Sequence, residues 1–244
     1  MIAFVVGLIT CSSFHLVAVA QEAAVAVDEE TERAKELYEE YASTAKLLEV
    51  SPVKNNMTFK LQQEPLMKFA TEGTVFGSVY VWHDAAQRLA MIGTIGSLPI
   101  ENVDMEFVEL HLLKPVAIKP VSFPGFPPRT WNPGVEGLSP KPIPGAPNVA
   151  PVAATRLVQM RSLARQFSAE MTHKGRANQL RLLPQPLYRY AASTSDRDGA
   201  LFAFVWDTGT DPELLIRVEA LGNEGQVQWH YQPIRFTWRG LELK

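Results

Sequence analysis

The chain contains two similar apolar stretches, GSVYVW at residues 77–82 and GALFAFVW at residues 199–206. Both are rich in β-branched and aromatic residues, which is typical of strands in a sheet. From the first glycine of each stretch to an apolar residue of a later predicted strand, Met105 or Val227, the distance is the same 28 residues (77 to 105 and 199 to 227). This spacing indicates two diverged copies of a helix followed by a β-meander. A helix over one curved sheet, as in NTF2-like proteins, is the alternative fold.

The first half is predicted to begin with a helix over Asp28–Val50. Asp28 or Thr31 can cap its start, and Ser51-Pro52 stops it. Its apolar residues form one stripe: Ala34, Tyr38, Tyr41, Ala45 and Leu48. The strands predicted after it are Met57–Leu61, Thr74–Trp82, Arg88–Ile95 and Val103–Leu113. The apolar residues of the last strand change parity, so a one-residue bulge near Val108 is predicted to keep them on one face.

The second half is predicted to repeat this order. Its helix is predicted over Thr155–Thr172 and is closed by Lys174-Gly175. The apolar stripe of this helix is Leu157, Met160, Ala164, Phe167 and Met171. The strands predicted after it are Gln179–Leu183, Leu187–Tyr190, Ala200–Trp206, Leu214–Ala220, Val227–Tyr231 and Ile234–Trp238. Pro233 is predicted to shift the parity between the last two, so that their apolar residues share one face. The predicted fold class is α+β, mostly antiparallel sheet with two amphipathic packing helices.

A proline-rich connector separates the two halves. Residues 120–151 hold ten of the 18 prolines, and proline excludes both helix and central strand there. Phe123, Phe126 and Trp131 are unusual in a linker, so we expect this part of the connector to lie against a domain. The predicted organisation is an export signal at 1–20, a helix plus meander at 21–119, the connector at 120–151 and a second helix plus meander at 152–244. One compact unit containing both halves is the alternative.

The first twenty residues contain no Asp, Glu, Lys or Arg. The apolar run Ile2–Leu8, followed later by Ala18-Val19-Ala20, is the layout of an export signal with its cleavage site. An uncleaved membrane anchor is the alternative, and lipidation of Cys11, the only cysteine, is a weaker one. The cleaved chain would have no cysteine, which excludes disulfides and thiolate metal sites. The expected location is periplasmic or extracellular, with no membrane span once the signal is removed.

The charge of the chain argues against nucleic acid as a partner. The net charge is −3, whereas nucleic-acid binding normally requires a basic surface. The charge is uneven, however. Residues 21–151 carry 11 Lys+Arg against 17 Asp+Glu, a net charge of −6, and residues 152–244 carry 12 against 9, a net charge of +3. The arginine-rich second half suggests an anionic partner, and ordinary solvated faces are the alternative.

Motifs for known catalytic types are absent from the sequence: it has no G-x-S-x-G, H-E-x-x-H, Walker or G-x-G-x-x-G pattern. The most ligand-like residues are Tyr188, Arg189, Tyr190, Arg235 and Arg239, with Arg181 nearby in the sequence. An arginine offers a planar fork to a carboxylate or phosphate, and aromatic rings offer flat walls. The alternative is structural, with both tyrosines on one face of a strand and Arg189 on the other.

Two groups of acidic residues have some of the features of metal sites. The first comprises Glu106, Glu109 and His111, with His83, Asp84 or His230 as further members. The second comprises Asp196, Asp198, Asp207 and Asp211, on neighbouring loops. The first set matches an outward strand face equally well, and the spacing of the second misses the calcium-loop pattern. No metal site and no cofactor are therefore predicted.

Part of the second half resembles a family of uncharacterised bacterial exported proteins. The resemblance rests on RLLPQPLYRY at residues 181–190, DGALFAFV at 198–205 and GTDPE at 209–213, and it extends to residues 156–167 and the prolines near 140–147. It implies a bacterial source and ordered proline-rich turns. It implies no activity, so no functional residue is carried over from it.

These observations favour an exported, non-catalytic binding or structural module of the bacterial cell envelope. Its partner would be an anionic small molecule or an envelope protein. A periplasmic enzyme of hydrolase type, using carboxylates and histidines on strand faces, is the first alternative. A membrane-tethered accessory domain is the second.

Overall fold

The computed structural model of the chain describes residues 32–54, 57–71, 74–101, 103–123, 130–136, 138–191, 197–207, 209–222 and 226–244. The predicted export signal with Cys11, the predicted helix start at Asp28, Phe126 and Asp196 lie outside these residues. No helix within the described ranges is both long enough and apolar enough to cross a membrane.

The first half is a helix packed on an antiparallel sheet. Its elements are α1 (32–47), β1 (Lys60–Leu61), β2 (Met67–Thr71), β3 (Val75–His83), β4 (Leu89–Ile100) and β5 (Val103–Leu112). The strand order is β1-β3-β4-β5, and β2 also pairs with β3. The stripe predicted for α1 is confirmed, because Tyr41 and Ala45 are buried against this first sheet.

The connector is folded along the protein surface. It contains β6 (Val121–Ser122), β7 (Thr130–Trp131) and β8 (Lys141–Pro142). Phe123 and Trp131 pack against the core beneath α1. The short strand β8 pairs with the last long strand of the second half, so the end of the connector belongs to that sheet.

The second half has a helix, a long sheet and a small sheet. Its elements are α2 (Ala153–Ala164), β9 (Ala169–His173), β10 (Arg176–Gln179), β11 (Arg181–Leu182), β12 (Tyr188–Tyr190), β13 (Gly199–Val205), β14 (Pro212–Leu221), β15 (Gln228–Arg235) and β16 (Gly240–Leu243). The second sheet has the order β11-β13-β14-β15-β8, and β12 also pairs with β13. The small sheet has the order β10-β9-β16. Helices and antiparallel sheets together confirm the α+β class.

The helix predicted over Thr155–Thr172 is wrong in its second part. The helix ends at Ala164, and Ala169–His173 is strand β9, which pairs with β10. Lys174 and Gly175 have φ values of 49° and 74°, which suit the tight turn of a hairpin rather than a helix cap. Ala169 and Met171 are buried with a period of two, which is that of a strand. Met171 also lies at helical spacing from Phe167 and Ala164, which is why the predicted helical stripe extends too far.

The two predicted parity shifts are also wrong. Strand β5 pairs with β4 in continuous register from Val103 to Leu112, without a bulge at Val108. Strand β15 likewise pairs with β14 without a shift at Pro233. Both predictions assumed that a strand has one apolar face. Each of these strands contacts another layer on both faces: Val108 of β5 packs towards α1 and His111 stacks on Phe236, whereas Trp229 and Ile234 of β15 belong to different cores. Apolar residues of both parities are therefore used without a bulge.

The burial on both faces comes from four stacked layers: α1, the first sheet, the second sheet and α2. One core cluster joins α1 to the first sheet, a second lies between the two sheets, and a third joins the second sheet to α2 and β9. In β3, Tyr80 and Trp82 pack towards α1, whereas Val79 and Val81 pack towards the second sheet. Side chains that alternate along a strand therefore enter different cores.

The central strands of both sheets contain a glycine covered by an aromatic ring. Gly77 in β3 pairs with Phe69 in β2, and Gly199 in β13 pairs with Tyr190 in β12. A Cβ atom added to Gly77 would lie 2.3 Å from the Phe69 ring, and one added to Gly199 would lie 2.4 Å from the Tyr190 ring. Each ring occupies the space that a side chain on the glycine would need.

We expect Gly199→Ala to lower the free energy of unfolding by about 1–3 kcal/mol, because the partly buried Tyr190 ring must leave its position. Gly240→Ala in β16 is the matched control, since the nearest atom to its added Cβ is 3.4 Å away. Urea denaturation measures both variants. Equal stability of the two variants would contradict the proposed role of the ring.

Candidate functional site

Polar side chains that point between the two sheets mark two clefts, one at each end of the sheet pair. The larger cleft has a volume of about 590 Å³. It lies where the β3–β4 turn and the end of β5 meet the ends of β12 and β14. Both halves of the chain contribute to it, and Pro140 of the connector closes one side.

The larger cleft is basic. Its described lining includes four cationic residues, Arg88, Lys114, Arg197 and Arg217, and a single carboxylate, Glu219. Apolar side chains from Leu89, Leu113, Pro115 and Leu221 complete the wall. We refer to this site as the basic cleft.

Two of the four cations share one carboxylate, that of Asp84 in the β3–β4 turn. Arg88 donates to it at 3.0 Å, and the Lys114 ammonium contacts the same oxygen. Burial opposes ionisation of Asp84, but the hydrogen bonds from Lys114 and Arg88 outweigh it and lower the pKa of Asp84 to about 2. One negative charge therefore faces two positive charges at this edge of the basic cleft.

The deepest part of the basic cleft is an ion pair on β14. Arg217 and Glu219 lie 2.8 Å apart, and each is only 5–6% exposed. The Tyr190 hydroxyl donates to Glu219 at 3.0 Å, and burial raises the pKa of this tyrosine well above its usual range. The Arg217 Nε atom has no hydrogen-bond partner among the described residues. A buried donor without a partner is costly, so it marks a place where a ligand can bind.

The five predicted ligand-binding residues do not converge on one site. Tyr190 lines the basic cleft, whereas Arg239 lines a second cleft at the opposite end of the sheets. The Tyr188 hydroxyl lies 3.0 Å from His83 Nε2, between the sheets. Arg235 donates to the backbone carbonyls of Thr237 and Arg239 beyond the end of β15.

Arg189 belongs to a buried structural network. Its guanidinium donates to Asp198 at 2.6 and 3.0 Å, and Arg156 of α2 donates to the same carboxylate at 2.7 Å. Asp198 is fully buried and Arg156 is 2% exposed. The network joins β12 to α2.

The residues weighed as metal ligands are also dispersed. His111 Nε2 lies 3.0 Å from Glu109, but Glu106 accepts a hydrogen bond from Thr44 on the α1 side of the sheet. His83 contacts Tyr188 instead. The described residues contain no group of three or more potential ligands placed to hold a metal ion.

Sequence reasoning missed the residues that define the basic cleft, above all Arg217, Glu219 and Lys114. Arg217 and Glu219 alternate with apolar residues in β14. This pattern normally indicates a solvent-exposed strand face. A usable signal was the continuous apolar character of long strands such as Gly199–Val205, which is typical of a sheet covered on both sides.

Comparisons with protein families, with curated proteins and with solved structures gave no match to this chain. The resemblance of the second half to exported bacterial proteins stays a prediction. A proposal for the function of this chain therefore depends on the charges and side chains that line the two clefts.

Proposed function

We propose that this protein binds an organic anion in the basic cleft, as a non-catalytic binding module of the bacterial envelope. The observation that carries the proposal is the excess of positive charge between the sheets. The described lining has four cations and one carboxylate, and Asp84 at its edge adds a second carboxylate, which pairs with Arg88 and Lys114. Among these residues four positive charges therefore face two negative ones. A bound anion would add negative charge in a partly desolvated site, where ionic interactions are stronger than in water.

The lining also indicates which kind of anion fits. Arginines favour planar carboxylate, sulfonate or phosphate groups, because a guanidinium donates two parallel hydrogen bonds. The leucines and prolines of the wall favour an apolar body attached to that group. The expected ligand is therefore amphipathic, with one acidic group near Arg217 and an apolar part against Leu113 and Leu221.

The test uses the fluorescent sulfonate 1-anilinonaphthalene-8-sulfonate as a probe and neutral N-phenyl-1-naphthylamine as its uncharged counterpart. Arg88→Gln/Arg197→Gln removes two charges from exposed positions of the cleft. We expect about ten-fold weaker binding of the sulfonate, about 1.4 kcal/mol, and no change for the neutral amine. Sodium chloride should weaken sulfonate binding as well.

The matched control is Arg176→Gln/Arg181→Gln, which removes the same charge from exposed strand positions outside the basic cleft. This control should bind the sulfonate like the unmodified protein. Equal sulfonate affinity in both double variants would exclude the basic cleft as the binding site.

We also propose that the two halves of the chain are diverged copies of one helix-plus-meander unit. It is supported by the matching strand orders of the two sheets and by register shifts at Trp82/His83 and Phe204/Val205, at the same point of corresponding strands. It is also supported by KLQQEPLMKF at residues 60–69 and RLLPQPLYRY at 181–190, which share a basic residue, leucine, Pro-Leu, a second basic residue and an aromatic at the same spacing. Each sheet is covered by the other sheet rather than closed over its own pocket, which favours the repeat over an NTF2-like fold.

Export to the envelope is supported by the N-terminal sequence. The apolar run at residues 2–8 and the small residues at 18–20 carry this part of the proposal. Cys11 is the only cysteine of the chain, so the cleaved protein would depend on core burial rather than on disulfides. Intact-mass measurement of exported protein tests cleavage after Ala20.

A further inference from the structure

The second cleft lies at the opposite end of the sheet pair and has a volume of about 300 Å³. Its lining includes three carboxyl groups, Glu109, Asp211 and Glu213, and two indole rings, Trp206 and Trp238. We refer to it as the acidic cleft. It shares no lining residue with the basic cleft, so a role for the acidic cleft goes beyond the proposed function and is independent of it.

The acidic cleft offers both acceptors and donors of hydrogen bonds. Glu213 accepts from Arg239 at 3.2 Å, and Glu109 lies 3.0 Å from His111. Burial raises the pKa of Asp211 to about 8. The negative charges of Glu213 and Glu109 add to this shift, and Arg239 opposes it. Asp211 is therefore protonated at neutral pH and can donate a hydrogen bond, whereas an ionised carboxylate only accepts.

A buried threonine in the acidic cleft has no partner for its hydroxyl among the residues that the structure describes. Thr94 is 3% exposed and lines the cleft, and within the described part of the chain its Oγ1 atom makes no hydrogen bond. The same holds for Thr71 Oγ1 and for Arg239 Nε, which belong to the same lining. Buried polar atoms are almost always hydrogen-bonded in folded proteins. Three such atoms around one cleft indicate a polar ligand.

The rim of the acidic cleft is aromatic. Trp238 is 85% exposed, which is rare for so large an apolar side chain. The Arg239 guanidinium lies 5.3 Å from the ring centre of Trp206 and 5.4 Å from that of Trp238. The guanidinium therefore contacts both indoles, and most of the Trp238 surface stays open to solvent.

The two clefts occupy corresponding places in the two sheets. Thr94 pairs with Val79, and Arg217 pairs with Leu201. Each partner lies two residues after the first glycine of its apolar stretch. The position that carries a cation in the basic cleft therefore carries a neutral hydroxyl in the acidic cleft, and this difference favours ligands of different charge.

We propose that the acidic cleft binds a neutral carbohydrate, with one sugar ring between the carboxyl groups and the indole rim. A sugar presents hydroxyl groups that both donate and accept, and its C–H face packs on an aromatic ring. The cleft supplies matching acceptors, donors and a flat wall. The carboxylates of Glu109 and Glu213 disfavour acidic sugars by charge repulsion.

The experiment titrates the full-length protein with glucose, galactose, mannose, N-acetylglucosamine and glucuronate, followed by tryptophan fluorescence and calorimetry. We expect at least one neutral sugar to bind, with glucuronate at least ten-fold weaker. Thr94→Val and Trp238→Ala should each weaken that sugar at least five-fold. Thr94→Val should leave Tm unchanged or raised, because the hydroxyl that it removes has no partner among the described residues of the folded protein.

The matched control is Thr172→Val, an exposed threonine of β9 outside the acidic cleft, which should bind the sugar normally. Absence of binding to every neutral sugar would overturn the proposal, as would equal binding of glucuronate. Displacement of the sugar by millimolar tetramethylammonium would instead assign the cleft to organic cations. A lower Tm for Thr94→Val would show that its hydroxyl is structural, which also overturns the proposal.

Discussion

Asp198→Asn is expected to lower the free energy of unfolding by about 3–5 kcal/mol. Two guanidinium groups, those of Arg156 and Arg189, depend on this fully buried carboxylate. The substitution leaves both positive charges without their counter-charge, and one of them is almost completely buried. Removing one partner from a buried ion pair is strongly destabilising for this reason.

The effect of Asp198→Asn should be largest around α2. Arg156 also donates to the carbonyls of Ala150 and Pro151, and Arg189 donates to that of Ala153. These contacts hold the residues that lead into the helix. Hydrogen exchange should therefore become faster in α2 and β12 before it does so in the first sheet.

Asp104→Asn is the matched control for Asp198→Asn. It removes the same charge from the pair of Asp104 with Arg33, whose side chain is 49% exposed. Exposed ion pairs contribute about 0–1 kcal/mol. Denaturant unfolding of both variants measures the difference, and similar losses for the two would mean that Asp198 does not hold a buried network.

Asp211→Asn is expected to stabilise the protein at alkaline pH, by roughly 3–5 kcal/mol at pH 9. Burial is the first cause of the raised pKa of Asp211, and the neighbouring carboxylates of Glu213 and Glu109 add to it, while Arg239 opposes them. The asparagine side chain has nearly the same shape and can donate a hydrogen bond, but it carries no charge at any pH.

The direction of this pH dependence follows from proton binding. Below about pH 4 the Asp211 carboxyl is protonated in both the folded and the unfolded chain. Between about pH 4 and pH 8 the folded chain keeps this proton and the unfolded chain has lost it, so folding takes up a proton. The free energy of unfolding therefore falls as pH rises through this range, by up to about 1.4 kcal/mol per unit, and levels off above pH 8.

Thermal or denaturant unfolding from pH 5 to pH 9 measures this effect. The difference between Asp211→Asn and the unmodified protein should grow with pH. Asp207→Asn, an exposed position in the same connection between β13 and β14, should show no such trend. A constant difference between Asp211→Asn and the unmodified protein across this range would rule out a protonated Asp211 in the folded state.

Much of the secondary structure was accessible from local patterns. The stripe through Tyr41 and Ala45 predicted α1, and the apolar stretches at residues 77–82 and 199–206 predicted β3 and β13. Such patterns succeed because they depend only on neighbours along the chain. The hairpin at Lys174-Gly175 shows the limit, since Met171 fits the apolar stripe of a helix as well as the inward face of a strand.

The candidate site was harder to predict from the sequence than the secondary structure. The sequence predicts both Tyr190 and Arg239 as ligand-binding residues, and they line different clefts. Arg189 is predicted for the same chemistry and is held by Asp198. An arginine that binds a ligand and one that binds a buried aspartate are identical in sequence, because the difference lies in a partner that is distant along the chain.

The order of residues alone was enough to specify α1, the start of α2, most of the long strands and the arginine-rich second half, since propensity and periodicity are local properties. The face-to-face packing of the two sheets was decided only in three dimensions. That packing turns Thr94, Arg217 and Glu219 from outward strand positions into the interior of two clefts. The physical reason is that burial of a strand face depends on which other sheet covers it, and residues far away in the chain supply that cover.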